Sequence, residues 1–216
     1  MTIPAHNAEA FLREAIESVL QQSIPLELVV VNDGSTDATA SIIASYGDRV
    51  RALHQGQCGL GAARNRGVRA TRSEWIAFLD ADDRWTPDKL CRQAAVLAAR
   101  SDIDMVFGHC VEFTNSSSDG HWIARTEPFP AHSACAMLAR RACFDRIGGF
   151  SESGKVGEFI DWYSRARDSG AAEAMLADVV FHRRVHGSNM TRVTSDKRGQ
   201  YLDVVFAHLQ RRRTRD

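Results

Sequence analysis

Phe78-Leu79-Asp80-Ala81-Asp82-Asp83 is an apolar run that breaks abruptly into three carboxylates. If the run is a buried strand, Asp80 and Asp82 leave it on the same side, because alternate residues of an extended chain share a face. Two anions held that close repel, and a cation between them removes the repulsion. Hard oxygen donors suit Mg²⁺ or Mn²⁺, ions that commonly also hold substrate phosphates. Over these six residues alone, an acidic turn capping a helix expected near Pro87 would read the same way. The surrounding chain has to separate the two readings.

Upstream, Phe11, Leu12, Ala15, Ile16, Val19 and Leu20 recur at helical spacing over residues 9–22, with Asn7 placed as an N-cap. Residues 26–31, Leu-Glu-Leu-Val-Val-Val, show little polar alternation, as expected of a strand covered on both faces. The loop Asn32-Asp33-Gly34-Ser35-Thr36-Asp37 leads into a second helix ending near Tyr46, followed by a strand over 50–54, a helix over 61–70 and the strand over 75–79. This alternation with short connections predicts a parallel sheet with helices on both sides. Ligands of such sheets gather beyond the carboxyl ends of the strands, so Asp33 and Asp80 should face one crevice. Beyond residue 100 the pattern loosens. It suggests a strand over 105–113, a polar loop over 114–120 and a strand over 134–138. A helix over 140–147 is stopped by Gly148-Gly149. A helix over 157–169 closed by Gly170, a strand over 175–181 and an amphipathic helix over 197–213 follow.

Bulk properties narrow the class. The 216 residues suffice for one sizeable core, and we read one domain, with residues 1–100 and 101–216 as its two functional halves. Lys plus Arg and Asp plus Glu number 27 each, so no global field favours nucleic acid. No apolar run approaches the roughly 20 residues of a membrane span, and no signal-peptide pattern follows Met1. The five cysteines are widely spaced and lack Cys-x-x-Cys, which reads as reduced thiols in a cytoplasmic protein.

Three loops remain to be explained together: Ile3-Pro4-Ala5-His6-Asn7, Asn32-Asp33-Gly34-Ser35-Thr36-Asp37 and Asp80-Ala81-Asp82-Asp83. In order and spacing they resemble the family 2 glycosyltransferases. So do Gly61-Ala62-Ala63-Arg64-Asn65-Arg66-Gly67, Gly148-Gly149-Phe150 and the stretch bearing Glu158 and Asp161. The resemblance covers residues 2–189 and implies a GT-A fold: a single Rossmann-like nucleotide-binding domain with a mostly parallel central sheet flanked by helices. It implies an inverting enzyme that moves a sugar from a nucleotide diphosphate sugar, UDP-linked, to an acceptor. The sequence leaves open whether that acceptor is a saccharide, a lipid-linked molecule, a peptide or a small molecule, and whether the chain forms a homodimer. Carried over residue by residue, Pro4, Ala5, Asn7, Asp33, Arg64, Asp80 and Ala81 would contact the nucleotide sugar, with Asp33 accepting hydrogen bonds from the base. Asp82, Asp80 and His186 would hold Mg²⁺ or Mn²⁺, and Asn65 would organise the crevice. His6 replaces the family's usual aromatic residue.

The family often shows Glu-Asp where this chain has Glu158-Phe159, and there the Asp is the general base. The nearest substitutes are Asp161 and Glu158, which share a helical face with Arg165; we expect Asp161 as the base, on a helix turned so that it meets the crevice. A Glu158–Arg165 network that merely holds the helix is the plainer alternative. An acceptor thiol or phenol would need less help from any base. Only Met1 and Thr2 precede Ile3, so either the first strand is short or the start lies upstream. The rival function is a catalytically silent nucleotide-sugar-binding scaffold. A sugar nucleotidyltransferase fits less well, because no Gly-rich, Lys-containing triphosphate loop precedes the first helix. The pattern Gly59-Leu60-Gly61-Ala62-Ala63-Arg64 is not a dinucleotide fingerprint, since Arg stands where Gly or Ala is required. The basic stretch over 211–215 reads as a solvated end.

Overall fold

The computed structural model describes residues 1–115, 122–153 and 157–187. The first half contains β1 (Thr2–Ala5), α1 (Leu12–Leu20), β2 (Val29–Asp33), α2 (Thr39–Ala44), β3 (Arg51–Gln55), α3 (Leu60–Arg69), β4 (Trp75–Ala77), β5 (Arg84–Trp85) and α4 (Lys89–Ala99). The second contains β6 (Met105–Asn115), β7 (Trp122–Ala124), β8 (Phe129–Ala131), β9 (Leu138–Arg140), α5 (Arg141–Ile147), α6 (Glu158–Asp168) and β10 (Glu173–Arg184).

The apolar run of β2 is explained by burial on two faces. All five residues are buried, and their side chains go to different places. Val30 joins the main core with Leu12, Ile16, Ile42 and Ile43 of α1 and α2. Val29 and Val31 meet Ala63 of α3 on the opposite face. With helices on both sides, β1, β2 and β3 pair in parallel, in register Ala5↔Asn32 and Asp33↔Gln55. One carboxyl edge therefore carries the ends of all three strands. The other sheet runs β4-β9-β6-β10-β5, with β7 and β8 also on β6. A parallel bridge Thr2↔Phe78 and a Leu79 N–H bond to the Thr2 carbonyl (3.1 Å) join the two. Parallel pairing thus holds throughout the first sheet, β1 to β3. The second is mixed: β6 and β10 run parallel, while β9 is antiparallel to β4 and β6, and β5 to β10.

Several elements differ from the sequence reading for local reasons. Asn7 does not cap α1; it sits at φ 48°, and the helix begins only at Leu12. Residues 134–137 form a turn, and the strand expected there starts at Leu138. The short strands β5, β7 and β8 gave no periodic signal. The polar loop from residue 116 onward, the helix expected over 197–213 and the basic stretch over 211–215 lie outside the described residues. Among the described residues, no helix is long and apolar enough to cross a membrane.

The helix α3 packs on β1 through Gly67, where a Cβ would come within 2.1 Å of Thr2 Cγ2. Thr2 is a short, buried strand residue with nowhere to move. Alanine favours a helix by up to about 1 kcal/mol, but the clash opposes it. Gly67→Ala should therefore lower unfolding stability by about 1–3 kcal/mol, the usual scale of overpacking, read as a fall in urea midpoint. An unchanged midpoint would show that α3 and β1 are free to separate.

Candidate active site

At the carboxyl edge of the parallel strands, Asp33 closes β2 and is 5 % exposed. Its carboxylate accepts the backbone N–H groups of Cys58 and Gly59, both at 2.8 Å, and Gln55 Nε2 at 2.7 Å. The residue expected to meet a nucleotide base therefore also fixes the turn that starts α3. A carboxylate has about four acceptor positions, so capacity remains for a ligand. The β1 end is tied to the same place: His6 Nδ1 lies 2.7 Å from the Asp33 carbonyl, and Asn7 Oδ1 accepts the Thr36 N–H at 2.9 Å. Gly34 is required here, with φ 72° and a Cβ position 2.7 Å from the Gln57 nitrogen. Pro4 and Ala5 stand at the same edge, in register with Val31 and Asn32.

The acidic turn begins where β4 ends. The Asp80 N–H donates to Cys135 Sγ at 3.3 Å, and its carboxylate pairs with Arg64 NH2 at 2.6 Å. The other Arg64 terminal nitrogen pairs with Glu158 Oε1 at 2.5 Å. Burial alone would lower the Arg64 pKa, but the Asp80 and Glu158 charges outweigh it and raise it. Both terminal nitrogens of Arg64, a residue expected at the nucleotide, are therefore engaged by carboxylates, and its side chain is 3 % exposed. Asp82 Oδ2 lies 3.0 Å from His186 Nε2. Burial and the Asp80 charge push the Asp82 carboxyl upward, and His186 pulls it partly back. Asp83 is buried deeper, and burial, then Asp82 and Asp80, hold its carboxyl well above the usual range. A divalent cation beside these groups would relieve both costs. The carboxylate donors fit Mg²⁺ or Mn²⁺. Ligand atoms of Asp80, Asp83 and Cys135 also lie within 4.8 Å of one another. Ala81, between Asp80 and Asp82 in the chain, is buried.

The helix α6 brings Glu158 and Asp161 to different partners. Glu158 faces Arg64 and, through it, Asp80. Asp161 Oδ2 instead accepts from Arg165 Nε at 3.0 Å, and Arg165 also donates to the Ile147 and Gly149 carbonyls. The expected turning of Asp161 toward the crevice is thus replaced by an anchor to the 147–149 turn, and the expected Glu158–Arg165 network by Glu158–Arg64. Phe159 packs between Phe107, Trp162 and Tyr163, with its ring stacked on Tyr163 at 6.0 Å. Asn65 behaves as expected: its side chain brackets Phe150 through the N–H and the carbonyl, both at 2.9 Å.

With that geometry in hand, the likeness to known proteins is specific. The profile described as Glycosyl transferase family 2 matches residues 2–151. The chain belongs to glycosyl transferase family 2. An uncharacterised glycosyltransferase of Rickettsia prowazekii, RP339, is 28% identical over 226 residues, covering 97% of this chain and 70% of that protein. Among solved structures, S. aureus TarS 1-349 in complex with UDP-GlcNAc superimposes with TM-score 0.75 at 20% identity, over 90% of this chain and 60% of that one. The mannosyltransferase PcManGT of Pyrobaculum calidifontis, in complex with GDP-Man and Mn²⁺, gives 0.72 at 21% identity, over 97% and 63%. These neighbours share the GT-A fold, and the chain spans about 60% of their length.

Within this family 2 glycosyltransferase, some site residues gave no signal in the sequence. Cys135 supports Asp80 from 55 residues away. Its turn is held in place by Lys89, which is fully buried, donates to Gln93 Oε1 (2.6 Å) and the Ala136 carbonyl (3.2 Å), and lies over the Trp85 ring. Burial pushes the Lys89 pKa down to about 7. The folded state then binds fewer protons than the unfolded state between about pH 7 and the ordinary lysine value of about 10.4, so stability should rise across that window. Lys89→Met removes this term. Urea unfolding at pH 7 and at pH 9.5 should therefore show wild type gaining stability relative to Lys89→Met as pH rises. A constant difference would mean that Lys89 keeps an ordinary pKa.

Proposed function

We propose that this glycosyltransferase moves a sugar, with inversion, from a nucleotide diphosphate sugar of UDP type to an acceptor, assisted by Mg²⁺ or Mn²⁺. The observation that carries the reading is the convergence of Asp33 with the Asp80, Asp82 and His186 group at the carboxyl ends of adjoining strands. The UDP-GlcNAc and the GDP-Man with Mn²⁺ in the two neighbours are consistent with it.

On this reading Asp33 accepts an N–H of the base with its remaining acceptor capacity, while Pro4, Ala5 and Asn7 line the nucleoside. Asp82 and His186 would hold the ion, with Asp80 oriented toward it by Arg64. When bound, the ion supplies positive charge to the diphosphate of the leaving nucleotide. The acceptor oxygen bonds to the anomeric carbon as the bond to the diphosphate breaks, and the acceptor proton passes to a carboxylate. The contacts favour Glu158 over Asp161 for that task. Glu158 stands beside the Asp80 pair and is engaged by Arg64 through Oε1, so Oε2 receives the proton.

Calorimetry with UDP in the presence and absence of Mn²⁺ tests the donor site. Asp82→Ala should lose Mn²⁺-dependent affinity and keep the metal-free component; equal affinity with Mn²⁺ in both proteins would remove Asp82 from the metal site. UDP release from a panel of UDP-sugars then separates an enzyme from a silent scaffold, which would bind tightly without turnover.

The base is tested by paired variants. Glu158→Gln should slow transfer by about 10²–10⁴-fold, the usual scale for a lost general base, with UDP binding retained. Asp161→Asn should chiefly lower thermal stability. The opposite pattern would make Asp161 the base, and normal transfer by both variants would point to an acceptor thiol or phenol.

A further inference from the structure

The strand β10 ends in Arg184, a buried guanidinium that the donor-site reading leaves without a task. Its contacts join the 80–83 turn to α1 and β6. Nε donates to the Asp82 carbonyl at 2.9 Å, and the Arg184 backbone N–H donates to Asp83 Oδ1 at 2.9 Å. NH2 pairs with Glu14 Oε2 of α1 at 2.8 Å, and NH1 donates to Asn115 Oδ1 at the end of β6. The guanidinium carbon lies 4.8 Å from the centre of the Phe11 ring and 4.5 Å from that of Phe113. The side chain is 2 % exposed, so these directions are fixed by packing.

Two residues farther on stands His186, which meets Asp82 Oδ2 and rests on the same Phe11 ring at 4.7 Å. The backbone carbonyl of Asp82 and its carboxylate are therefore both met by one short stretch, residues 184–186, at and just beyond the end of β10. A lysine at 184 could satisfy one of these directions, whereas the planar guanidinium fork reaches three partners at once.

We propose that Arg184 is a positioning residue that sets the 80–83 turn against His186 and ties both to α1 and β6. It fixes the spacing of the ion-holding donors without touching the ion itself. The inference rests on the donor-site reading above only for its consequence in metal binding; the mechanical part stands on the contacts alone. Residues that orient metal-holding side chains from behind typically change metal affinity by about 10–100-fold when removed.

The test uses the full chain as Arg184→Lys and, should that variant fold poorly, Glu14→Gln, which removes the charge facing the guanidinium and keeps every side chain of residues 80–83; because Glu14 also pairs with Arg84 at 3.4 Å, Arg84→Gln serves as its control. Hydrogen exchange followed by mass spectrometry needs no ligand. The expected result is faster exchange confined to segments covering 80–84 and 182–187, with segments of α2 and α3 unchanged. Calorimetry should then show Mn²⁺-dependent UDP affinity reduced by roughly tenfold or more, with metal-free affinity within twofold of wild type. Unchanged exchange over 80–84 in folded variants would overturn the proposal. So would a uniform rise across the molecule, which is what a merely structural residue gives. If exchange changes locally but wild type binds no UDP with or without Mn²⁺, the donor-site reading fails and the positioning role stands.

Discussion

The arrangement depends on one buried cation. Arg64 enters the interior from α3 and is held there by Asp80 on one side and Glu158 on the other. An unpaired guanidinium could not be buried at that depth, and removing one partner of a buried ion pair typically costs about 3–5 kcal/mol. Asp80 belongs to the turn after β4 and Glu158 begins α6, so the pairing joins the first half of the chain to a helix of the second. Its position is also set from behind, because α3 can approach only where Gly61 and Gly67 allow. A Cβ at Gly61 would lie 2.1 Å from the Ser151 carbonyl oxygen.

The same economy of parts governs the carboxyl edge of β1 to β3. The carboxylate of Asp33 holds the 55–59 turn with the same atoms that the proposed function directs at a base. A loop built this way is preorganised, since its donors are already oriented before a ligand arrives. The interlocked loops around Asn7 and Thr36 extend that order, with carboxylates of each loop accepting backbone N–H groups of the other: Glu9 Oε2 accepts the Ala38 N–H and Asp37 Oδ2 the Glu9 N–H.

How much of this was legible in the sequence follows from the range of each interaction. Strands and helices of the first half announced themselves, because two-sided burial makes β2 apolar throughout and helical spacing marks α1 and α3. Asp33 and Asp80 could be placed on one edge because parallel topology puts strand ends together. Partners could not be read in the same way. Cys135 meets Asp80 across 55 residues and Arg184 meets Asp83 across 101, and no local pattern encodes such distances. The short strands β5, β7 and β8 are two or three residues long, below any period. Asn7 misled because a left-handed asparagine before a helix carries the same letters as a cap.

Phe159 has a clearer meaning in the structure than in the sequence. As a missing carboxylate it suggests a lost function; as a ring it completes a cluster with Phe107, Trp162 and Tyr163. An aspartate at that position would place a charge among aromatic faces with no cation among these neighbours, and burial of an unpaired charge is costly. The surroundings of position 159 are therefore adapted to phenylalanine, and restoring the family's residue alone would not restore its role. On the proposed function, the acid that serves the acceptor comes from the side of α6 that already faces charge. On that side Arg64 holds Glu158 beside Asp80, whereas Arg165 draws Asp161 to the 147–149 turn. The contacts of α6 thus give the two acids different surroundings: Glu158 meets Arg64 beside Asp80, and Asp161 pairs with the Arg165 that ties α6 to the 147–149 turn.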